Sequence, residues 1–446
     1  MPRRLAGILL HPTSLPDAAG GLVSAAERFL AWAEAAGMSV WQVLPLGPAD
    51  AGGSPYAALS AFAGDPRWFV SSGGCPRGAS LEEFVERNRF WLHDWCLFAA
   101  LKDAHHGRPW LEWDEPLRRR ERPALSHAER SLASEIASHR RAQWAFFESW
   151  SAIRAIAARR GISILGDLPI YPALNSADVW AHPEMFWLDK RGRPTKVAGV
   201  PPDYFTEAGQ LWGNPLYRWE ELAATGFAWW VARVRHQLAL HDALRLDHFR
   251  GFVGYWAVPA TATTAVAGAW EPGPGRRLFD ALRQALGRMP FVAEDLGVIT
   301  EEVVALRTAL GLPGMRVLQF GLDAHDGDHA PHNLTRDVVV YTGTHDNDTT
   351  RGWFAALDRT AQRRVLDYVG GSADDVAWSV VREAMTSIAE LAIVPMQDLL
   401  NLGSEGRMNV PGVAAGNWGW RAPAYALDPA LAERVRRLVE VSGRLR

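Results

Sequence analysis

Residues 162–168 read ISILGDL, a short apolar run that closes on an acidic residue, Asp167. Such a run is typical of a strand buried on both faces of a parallel sheet. Seven more runs of this kind follow the same pattern, at 5–11 (LAGILLH), 39–46 (SVWQVLPL), 243–248 (ALRLDH), 291–296 (FVAEDL), 315–320 (MRVLQF), 338–343 (VVVYTG) and 391–397 (LAIVPMQ). The sequence therefore predicts eight buried strands.

Helix-like segments lie between these strands. Segment 22–36 has an apolar face and ends before Gly37, a residue suited to the position after a helix C-terminus. Segment 376–390 is similar and leads into the last strand. Eight strands that alternate with helices predict an α/β fold, the (β/α)8 TIM barrel.

Two connections are too long for a plain barrel. One spans 48–161 and holds a turn-rich stretch followed by helix-like segments; the other spans 169–217 and is rich in Pro, Gly and aromatic residues. Loops of this length are usually functional, and loops after strands rise from the face where barrel active sites lie. We expect one catalytic barrel over 1–446, with a mostly helical subdomain inserted at 48–161, after strand 2, and a lid or loop subdomain at 169–217, after strand 3.

The composition narrows the class of function. The 446 residues include 47 Lys and Arg against 50 Asp and Glu, so the net charge is -3 and general binding to nucleic acid or acidic membranes is not expected. The chain has 21 Trp, more than a core of this size requires. Indole rings suit surfaces that stack on sugars, although each one could equally belong to the core.

The cysteines and the N-terminus bear on the compartment. Cys75 and Cys96 are too few for a disulfide framework or a metal site. The N-terminal MPRRLAGILLHP resembles a signal peptide, but its apolar run stops after Leu10 and no small-residue cleavage site follows. No stretch approaches the length of a membrane helix. We expect a buried first strand and a cytoplasmic protein, which we take to act as a monomer.

Acidic residues stand where several predicted strands end. They are Asp167, Asp247, Glu294 and Asp346, of which the last three are 47 and 52 residues apart. A single acid at such a place usually caps a helix, but in a barrel these four side chains converge on one pocket. Carboxyl groups buried together raise the pKa of at least one of them. Glycoside chemistry needs this arrangement: one carboxylic acid and one carboxylate.

Neighbouring residues suggest how the acids divide the work. Arg245 lies two residues before Asp247, on the same face of a strand, and can keep Asp247 ionised as a nucleophile. Glu294 has no basic neighbour within several residues, which suits a proton donor. His345 adjoins Asp346 and could donate to sugar hydroxyls or be a structural histidine.

A metal-dependent hydrolase is the competing barrel enzyme, with His11, His248 and His345 as ligands beside the acids. No second histidine stands two positions after His11, and neither HExxH nor paired cysteine ligands occur. A dinucleotide-binding GxGxxG after a strand and a P-loop are also absent from the sequence. These motifs do not favour the metal enzyme or a nucleotide-binding protein.

Longer segments carry a family resemblance that runs in order over nearly the whole chain. They are SPYAALSAFAGDP (54–66), GDLPIY (166–171), ADVWAHPEMF (177–186), VAGVPPDYFTEAGQLWGNPLYRW (197–219), RLDHFRGFVGYW (245–256), AEDLGVIT (293–300), GLPGMRVLQF (311–320), VVYTGTHDNDTTRGW (339–353), MQDLLNLGSEGRMNVPG (396–412) and GNWGWR (416–421). In these segments the chain resembles the 4-α-glucanotransferases, or amylomaltases, of glycoside hydrolase family 77 in the α-amylase clan.

The resemblance implies transfer of α-1,4-glucan segments between maltooligosaccharides or starch-type glucans by a retaining double displacement. By the matching motifs Asp247 is the nucleophile, Glu294 the general acid/base and Asp346 the residue that stabilises the transition state. The resemblance implies no organic cofactor and no obligatory metal. It also implies that four residues bind substrate near the attacked sugar: Tyr56, Asp167, Arg245 and His345. A lid loop over the glucan would include Asp203, Phe205, Glu207 and Trp212.

Two departures from the family pattern stand out. Ala57 follows Ser54–Pro55–Tyr56 where the family often has Gln, and the segment after Asp65 is short, which leaves an outer glucan site in question. Two other functions remain open: an α-glucan hydrolase of the same clan, which would use the same three acids, and a non-catalytic glucan-binding protein. Three intact acids argue against the second.

Overall fold

A computed structural model describes residues 4–17, 21–50, 52–68, 80–202, 207–324, 327–413 and 415–446. The strands in this part of the chain are β1 Leu5–Leu9, β2 Val40–Gln42, β3 Ser163–Leu168, β4 Lys196–Val200, β5 Gln210–Pro215, β6 Ala243–Leu246, β7 Gly254–Pro259, β8 Ala269–Pro272, β9 Phe291–Ala293, β10 Gly314–Val317, β11 Val338–Tyr341 and β12 Leu391–Pro395. All eight predicted strands are present, and each begins within one residue of its predicted start.

Helices separate most of these strands. In the described residues they are α1 Leu22–Ala35, α2 Leu81–Arg87, α3 Leu92–Ala104, α4 Glu115–Arg118, α5 Arg122–Ser131, α6 Ala133–Arg159, α7 Ala177–Ala181, α8 Trp219–Ala224, α9 Ala228–Leu240, α10 Arg276–Leu286, α11 Glu301–Leu310, α12 Leu318–Ala324, α13 Thr350–Ala356, α14 Arg359–Val369, α15 Val376–Thr386, α16 Met396–Leu399 and α17 Pro429–Val441.

Eight parallel strands form the barrel. Their order is β10-β11-β12-β1-β2-β3-β6-β9, so each strand pairs with its neighbour in the chain once the inserted strands are left out. Ala293 N donates to Pro313 O across 2.9 Å and bridges β9 to the residue before β10, the two ends of this sheet. The (β/α)8 TIM barrel predicted from the sequence is confirmed.

Side chains alternate between the inside and the outside of the barrel along each strand. Leu165 of β3 belongs to an interior cluster with Val40, Val292 and Met315, whereas Ile164 packs outside, against the helices. This alternation follows from the two-residue period of a strand. It decides which polar residues near the strand ends also point into the barrel.

At two helix ends, a glycine turns the chain from the helix into the next barrel strand. After α1, Gly37 N donates to Glu34 O and Met38 N donates to Ala33 O, and the same pattern follows α6, at Gly161 and Ile162. Both glycines have left-handed φ angles, +75° and +69°. This C-terminal motif favours glycine because a Cβ is strained there, and it turns the chain sharply into β2 and β3.

The long connections carry most of the additional structure. Helices α2–α6 lie between β2 and β3, and α7–α9 with β4 and β5 lie between β3 and β6. Strands β7 and β8 follow β6 and join β4 and β5 in an antiparallel sheet of order β5-β4-β7-β8. This second sheet was not foreseen from the sequence, because its partners come from two different connections.

Many of the tryptophans turn out to be core residues. Twelve of those described are buried, and Trp180 is one of them: its Nε1 donates to Leu117 O, and the guanidinium of Arg120 lies over its ring. The exposed ones include Trp187, Trp212 and Trp270. The excess of tryptophan therefore reflects the packing of the inserted helices as much as any sugar-binding surface.

A search for membrane spans across the described residues found no helix that is long and apolar enough to cross a bilayer.

Candidate active site

Strand register places four of the predicted site residues together. Asp167 of β3 lies directly beside Arg245 of β6 in the parallel ladder, and both point into the barrel. One strand further, Arg245 lies beside Val292 of β9. Asp247 and Glu294 each follow two residues later, so they continue the inner face at the same level, at the C-terminal edge of the barrel.

Arg245 is the cation of this cluster. Its Nη1 lies 2.7 Å from Asp167 Oδ2 and 3.0 Å from Asp247 Oδ1, and only 5% of its side chain is exposed. Burial alone would favour the neutral guanidine and lower the pKa of Arg245. The negative charges of Asp167 and Asp247 outweigh this effect and raise the pKa well above its ordinary value. The predicted pairing of Arg245 with Asp247 is present, and Asp167 adds a second anion that the sequence did not link to it.

The pKa values of Asp247 and Glu294 are both raised. Burial raises the pKa of Asp247 to about 7; Arg245 opposes this shift, and the charges of Asp167 and Asp346 add to it. Burial raises the pKa of Glu294 to about 8, again opposed by Arg245 and increased by Asp247. Glu294 accepts hydrogen bonds from the backbone N–H groups of His248 and Leu296, at 2.7 and 3.0 Å. The ion pair with Arg245 favours the charged form of Asp247, and Glu294 has no such ion pair among the described residues.

Asp346 lies in the loop after β11, and both its carboxylate oxygens have protein partners. Asn409 Nδ2 donates to Oδ1 across 2.6 Å, and His345 Nε2 lies 3.3 Å from Oδ2. Arg407 Nη2 donates to the backbone oxygen of Asp346 across 2.8 Å. Burial lowers the pKa of His345, against the opposing charge of Asp346, so its imidazole is mostly neutral at pH 7.

Three aromatic rings form one wall of the site. Tyr56 and His345 stack with ring centroids 5.1 Å apart and an interplanar angle of 13°. Trp418 lies 5.9 Å from both rings and has a left-handed φ of +64°, rare for a bulky residue. The hydroxyl of Tyr56 donates to Asp167 Oδ2 across 2.6 Å, which fixes the ring over the acidic cluster.

The predicted lid residues are only partly described. Trp212 of β5 is 37% exposed, and its ring meets that of His248, the neighbour of Asp247, edge to face at 4.8 Å. Glu207 is exposed, in a turn just before β5. Asp203 and Phe205 lie outside the described residues.

The histidines proposed as alternative metal ligands, His11, His248 and His345, are buried or half-buried, and burial lowers the pKa of each. His11 Nδ1 accepts from Leu44 N at 3.3 Å; burial, Arg421 and His345 lower its pKa to about 3. Burial lowers the pKa of His248 to about 3 as well. Within the described ranges, no group of three or more His, Cys, Asp or Glu side chains could hold a metal ion.

Two cavities flank the acidic cluster. One, of about 440 Å³, reaches from His11 and His345 to Arg407. The other, of about 510 Å³, lies behind Tyr56 and Asp167. Asp247 and Glu294 line neither cavity.

Sequence reasoning did not single out Asn409 and Arg407 as site residues. Both belong to the segment 396–412 that follows the last barrel strand. Their position after a strand placed them at the correct edge of the barrel, and this signal was available. Their contact with Asp346, about 60 residues away in the chain, depends on the fold.

Replacing Arg245 with Met tests the buried cluster. Removal of one partner leaves buried carboxylates without their cation, so we expect the free energy of unfolding to fall by about 3–5 kcal/mol. The loss should be larger at pH 8 than at pH 5, because a proton can neutralise an uncompensated carboxylate at the lower pH. Urea denaturation at both pH values measures this. Arg277→Met, in the exposed pair with Glu220, is the matched control and should change nothing measurable; equal losses for both variants would contradict the argument.

Comparisons with known proteins agree with this geometry. The family profile described as 4-alpha-glucanotransferase, glycoside hydrolase family 77, matches residues 10–73 and 71–427. The 4-alpha-glucanotransferase of Thermus thermophilus is 46% identical over 100% of both chains, and that of Synechocystis is 44% identical over 100% of this chain and 99% of its own. The amylomaltase of Streptococcus agalactiae, solved in complex with acarbose, superposes with a TM-score of 0.94 at 31% identity over 100% of both chains.

Both the profile and the relatives span nearly all of the chain, including the strands and loops that carry the acidic cluster. The protein therefore belongs to the 4-α-glucanotransferase family, glycoside hydrolase family 77.

Proposed function

We propose that this enzyme transfers α-1,4-glucan segments through a covalent glycosyl intermediate on Asp247, with Glu294 as general acid/base. One observation supports this assignment above all: two carboxyl groups lie at the same level on neighbouring strands, and only Asp247 is paired with a cation. The pairing favours the ionised nucleophile, and the raised pKa of Glu294, which burial causes, favours the proton donor.

The two acids would act in two displacements. Protonated Glu294 gives its proton to the glycosidic oxygen while Asp247 attacks the anomeric carbon, so the C–O bond breaks as the ester bond forms. Glu294, now ionised, removes the proton from a sugar hydroxyl of the acceptor, which attacks the same carbon and releases Asp247. Two inversions retain the configuration. Asp346 would stabilise the transition state by holding sugar hydroxyls, oriented by Asn409.

The surrounding residues supply the binding surface in this proposal. Tyr56 stacks on the sugar at the attacked position, and His345 donates to its hydroxyls. Asp167 has both oxygens engaged by Arg245 and Tyr56, so it supports those two residues as well as the sugar pocket. Trp212, with Glu207 and Asp203, would form the lid over the glucan.

The lid also bears on the choice between transfer and hydrolysis. A transferase must exclude water from the intermediate and hold an acceptor sugar close to it. Trp212 is partly exposed beside His248, one residue from the nucleophile, where an acceptor ring can stack. This placement supports transfer.

We extend the proposal to the organisation of the protein. Segments 48–161 and 169–217 serve as a helical subdomain and a lid subdomain on one barrel, and the enzyme acts as a cytoplasmic monomer. Its N-terminal apolar run forms β1, a buried barrel strand that pairs with β2 and β12, which supports a structural role for this run.

Incubation with maltotriose tests the reaction. A transferase converts it to glucose and to maltooligosaccharides longer than the substrate, because the acceptor is another sugar. Anion-exchange chromatography of the products over time gives the result. Glucose and maltose alone, without longer chains, would identify a hydrolase of the same clan and contradict the transfer proposal.

Replacing Asp247 with Asn tests the nucleophile. We expect kcat to fall by a factor on the order of 10⁴ or more, since an amide cannot form the ester, while maltooligosaccharide binding measured by calorimetry persists. Asp280→Asn, in an exposed pair with Arg276, is the matched control and should retain full activity. Substantial turnover by Asp247→Asn would show that the nucleophile is misassigned.

The raised pKa values predict a bell-shaped pH profile. Activity needs Asp247 ionised and Glu294 protonated, so kcat/KM should rise with pH through about 7 and fall through about 8. The two apparent values belong to the interacting pair. Rates between pH 5 and 10 measure both limbs. A descending limb near pH 4–5, the ordinary range of a glutamic acid, would refute the assignment of Glu294 as the acid.

A further inference from the structure

The carboxylate of Asp398 is buried at the C-terminal end of the barrel, and the mechanism above does not use it. Asp398 lies in α16, directly after β12, and is 1% exposed. Its Oδ2 accepts from the hydroxyls of Thr342 and Thr350, at 2.5 and 2.7 Å, and its Oδ1 accepts from Thr350 N at 2.8 Å. Each of these donors is itself fully buried.

These three hydrogen bonds link the two ends of one loop. Thr342 directly follows β11, and Thr350 is the first residue of α13. Residues 343–349, between the two threonines, include His345 and Asp346. One side chain from α16, the helix after the neighbouring strand β12, therefore ties the beginning of this loop to its end.

An ionised carboxylate offers lone pairs to all three of these threonine groups. The backbone N–H of Thr350 can only donate and needs an acceptor, whereas the two threonine hydroxyls can donate or accept. This burial has a cost: it raises the pKa of Asp398, helped by the like charge of Asp348 and opposed by the threonine donors. No ion pair of Asp398 is found among the described residues, so its burial costs free energy of desolvation, and a role in specifying geometry is the more direct explanation for it.

The rest of the loop is supported from other sides. Gln319 Nε2 donates to Asp348 O across 3.0 Å. Asn409 and Arg407 hold Asp346 from the segment beyond α16. Gln319 also reaches both ends of the loop, but its hydrogen bonds to Thr342 O and Thr350 Oγ1 are long, 3.4 and 3.5 Å. The contacts of Asp398 with Thr342 and Thr350 are shorter, 2.5–2.8 Å, and hold the two ends of the loop more firmly on the barrel.

We propose that Asp398 is a positioning residue for glucan transfer, because it fixes the 343–349 loop and so places Asp346 and His345 against the sugar at the attacked position. This inference rests on the proposed function, in which Asp346 stabilises the transition state.

Asp398→Ala, Asp398→Asn and Thr342→Val test this role in the full-length enzyme. A shift of about 1 Å in a catalytic group can cost 10²-fold, so we expect Asp398→Ala to lower kcat on maltotriose by about 10–100-fold, with KM changed less than about 3-fold. Asp398→Asn keeps one acceptor for Thr350 N and should lose less, as should Thr342→Val. Thr225→Val, which removes a remote hydroxyl bonded to Leu222 O, is the matched control and should keep the wild-type kcat.

A double-mutant cycle separates positioning from general destabilisation. If Asp398 acts through Asp346, then adding Asp398→Ala to the Asp346→Asn variant should lower kcat further by less than about 3-fold. The proposal would be overturned if the fold-loss of kcat in the double variant equalled the product of the two single losses. It would also be overturned if folded Asp398→Ala kept the wild-type kcat. Thr342→Val provides the same comparison if Asp398→Ala does not fold, as judged by circular dichroism. The proposed function fails separately, if Asp346→Asn alone keeps the wild-type kcat.

Discussion

The guanidinium of Arg245 lies inside the barrel between two carboxylates, and the whole acidic centre depends on it. An isolated buried charge is strongly unfavourable, so the three ionic groups can be buried only together. One cation nevertheless faces Asp167, Asp247 and Glu294, and it cannot compensate all three. This imbalance, combined with burial, raises the pKa values of Asp247 and Glu294 toward neutrality, which is the condition for proton transfer at physiological pH.

The barrel supplies the geometry through alternation and register. Because side chains alternate along a strand, Arg245 and Asp247 lie on the same side of β6. The register of the parallel strands places Asp167 of β3 and Glu294, which follows β9, beside them. Loops after other strands then add the remaining groups. Asp346 arrives after β11, and Asn409 reaches it from the segment after β12. Several strands, or the segments that follow them, thus contribute side chains at the same edge, where parallel strands end together.

The connections outside the barrel have two structural roles. The connection between β2 and β3 buries large aromatic residues such as Trp95, Trp110 and Trp113, and this second core accounts for much of the tryptophan content. The antiparallel sheet instead carries Trp212 to the mouth of the barrel, beside His248. The same residue type therefore serves stability in the second core and an exposed surface at the mouth of the barrel.

The sequence by itself determined the eight strands, the barrel class, the acids at the strand ends and the shared face of Arg245 and Asp247. These features depend on local periodicity, which a single segment displays without its neighbours. The tertiary structure alone decided that Asp167 pairs with Arg245, that Glu294 is level with Asp247, and that Asn409 and Asp398 support the loop of Asp346. It also decided that β4 pairs with β7, a strand of another connection. Such contacts join residues far apart in the chain, and their register is set by packing across the whole barrel, which no local pattern encodes.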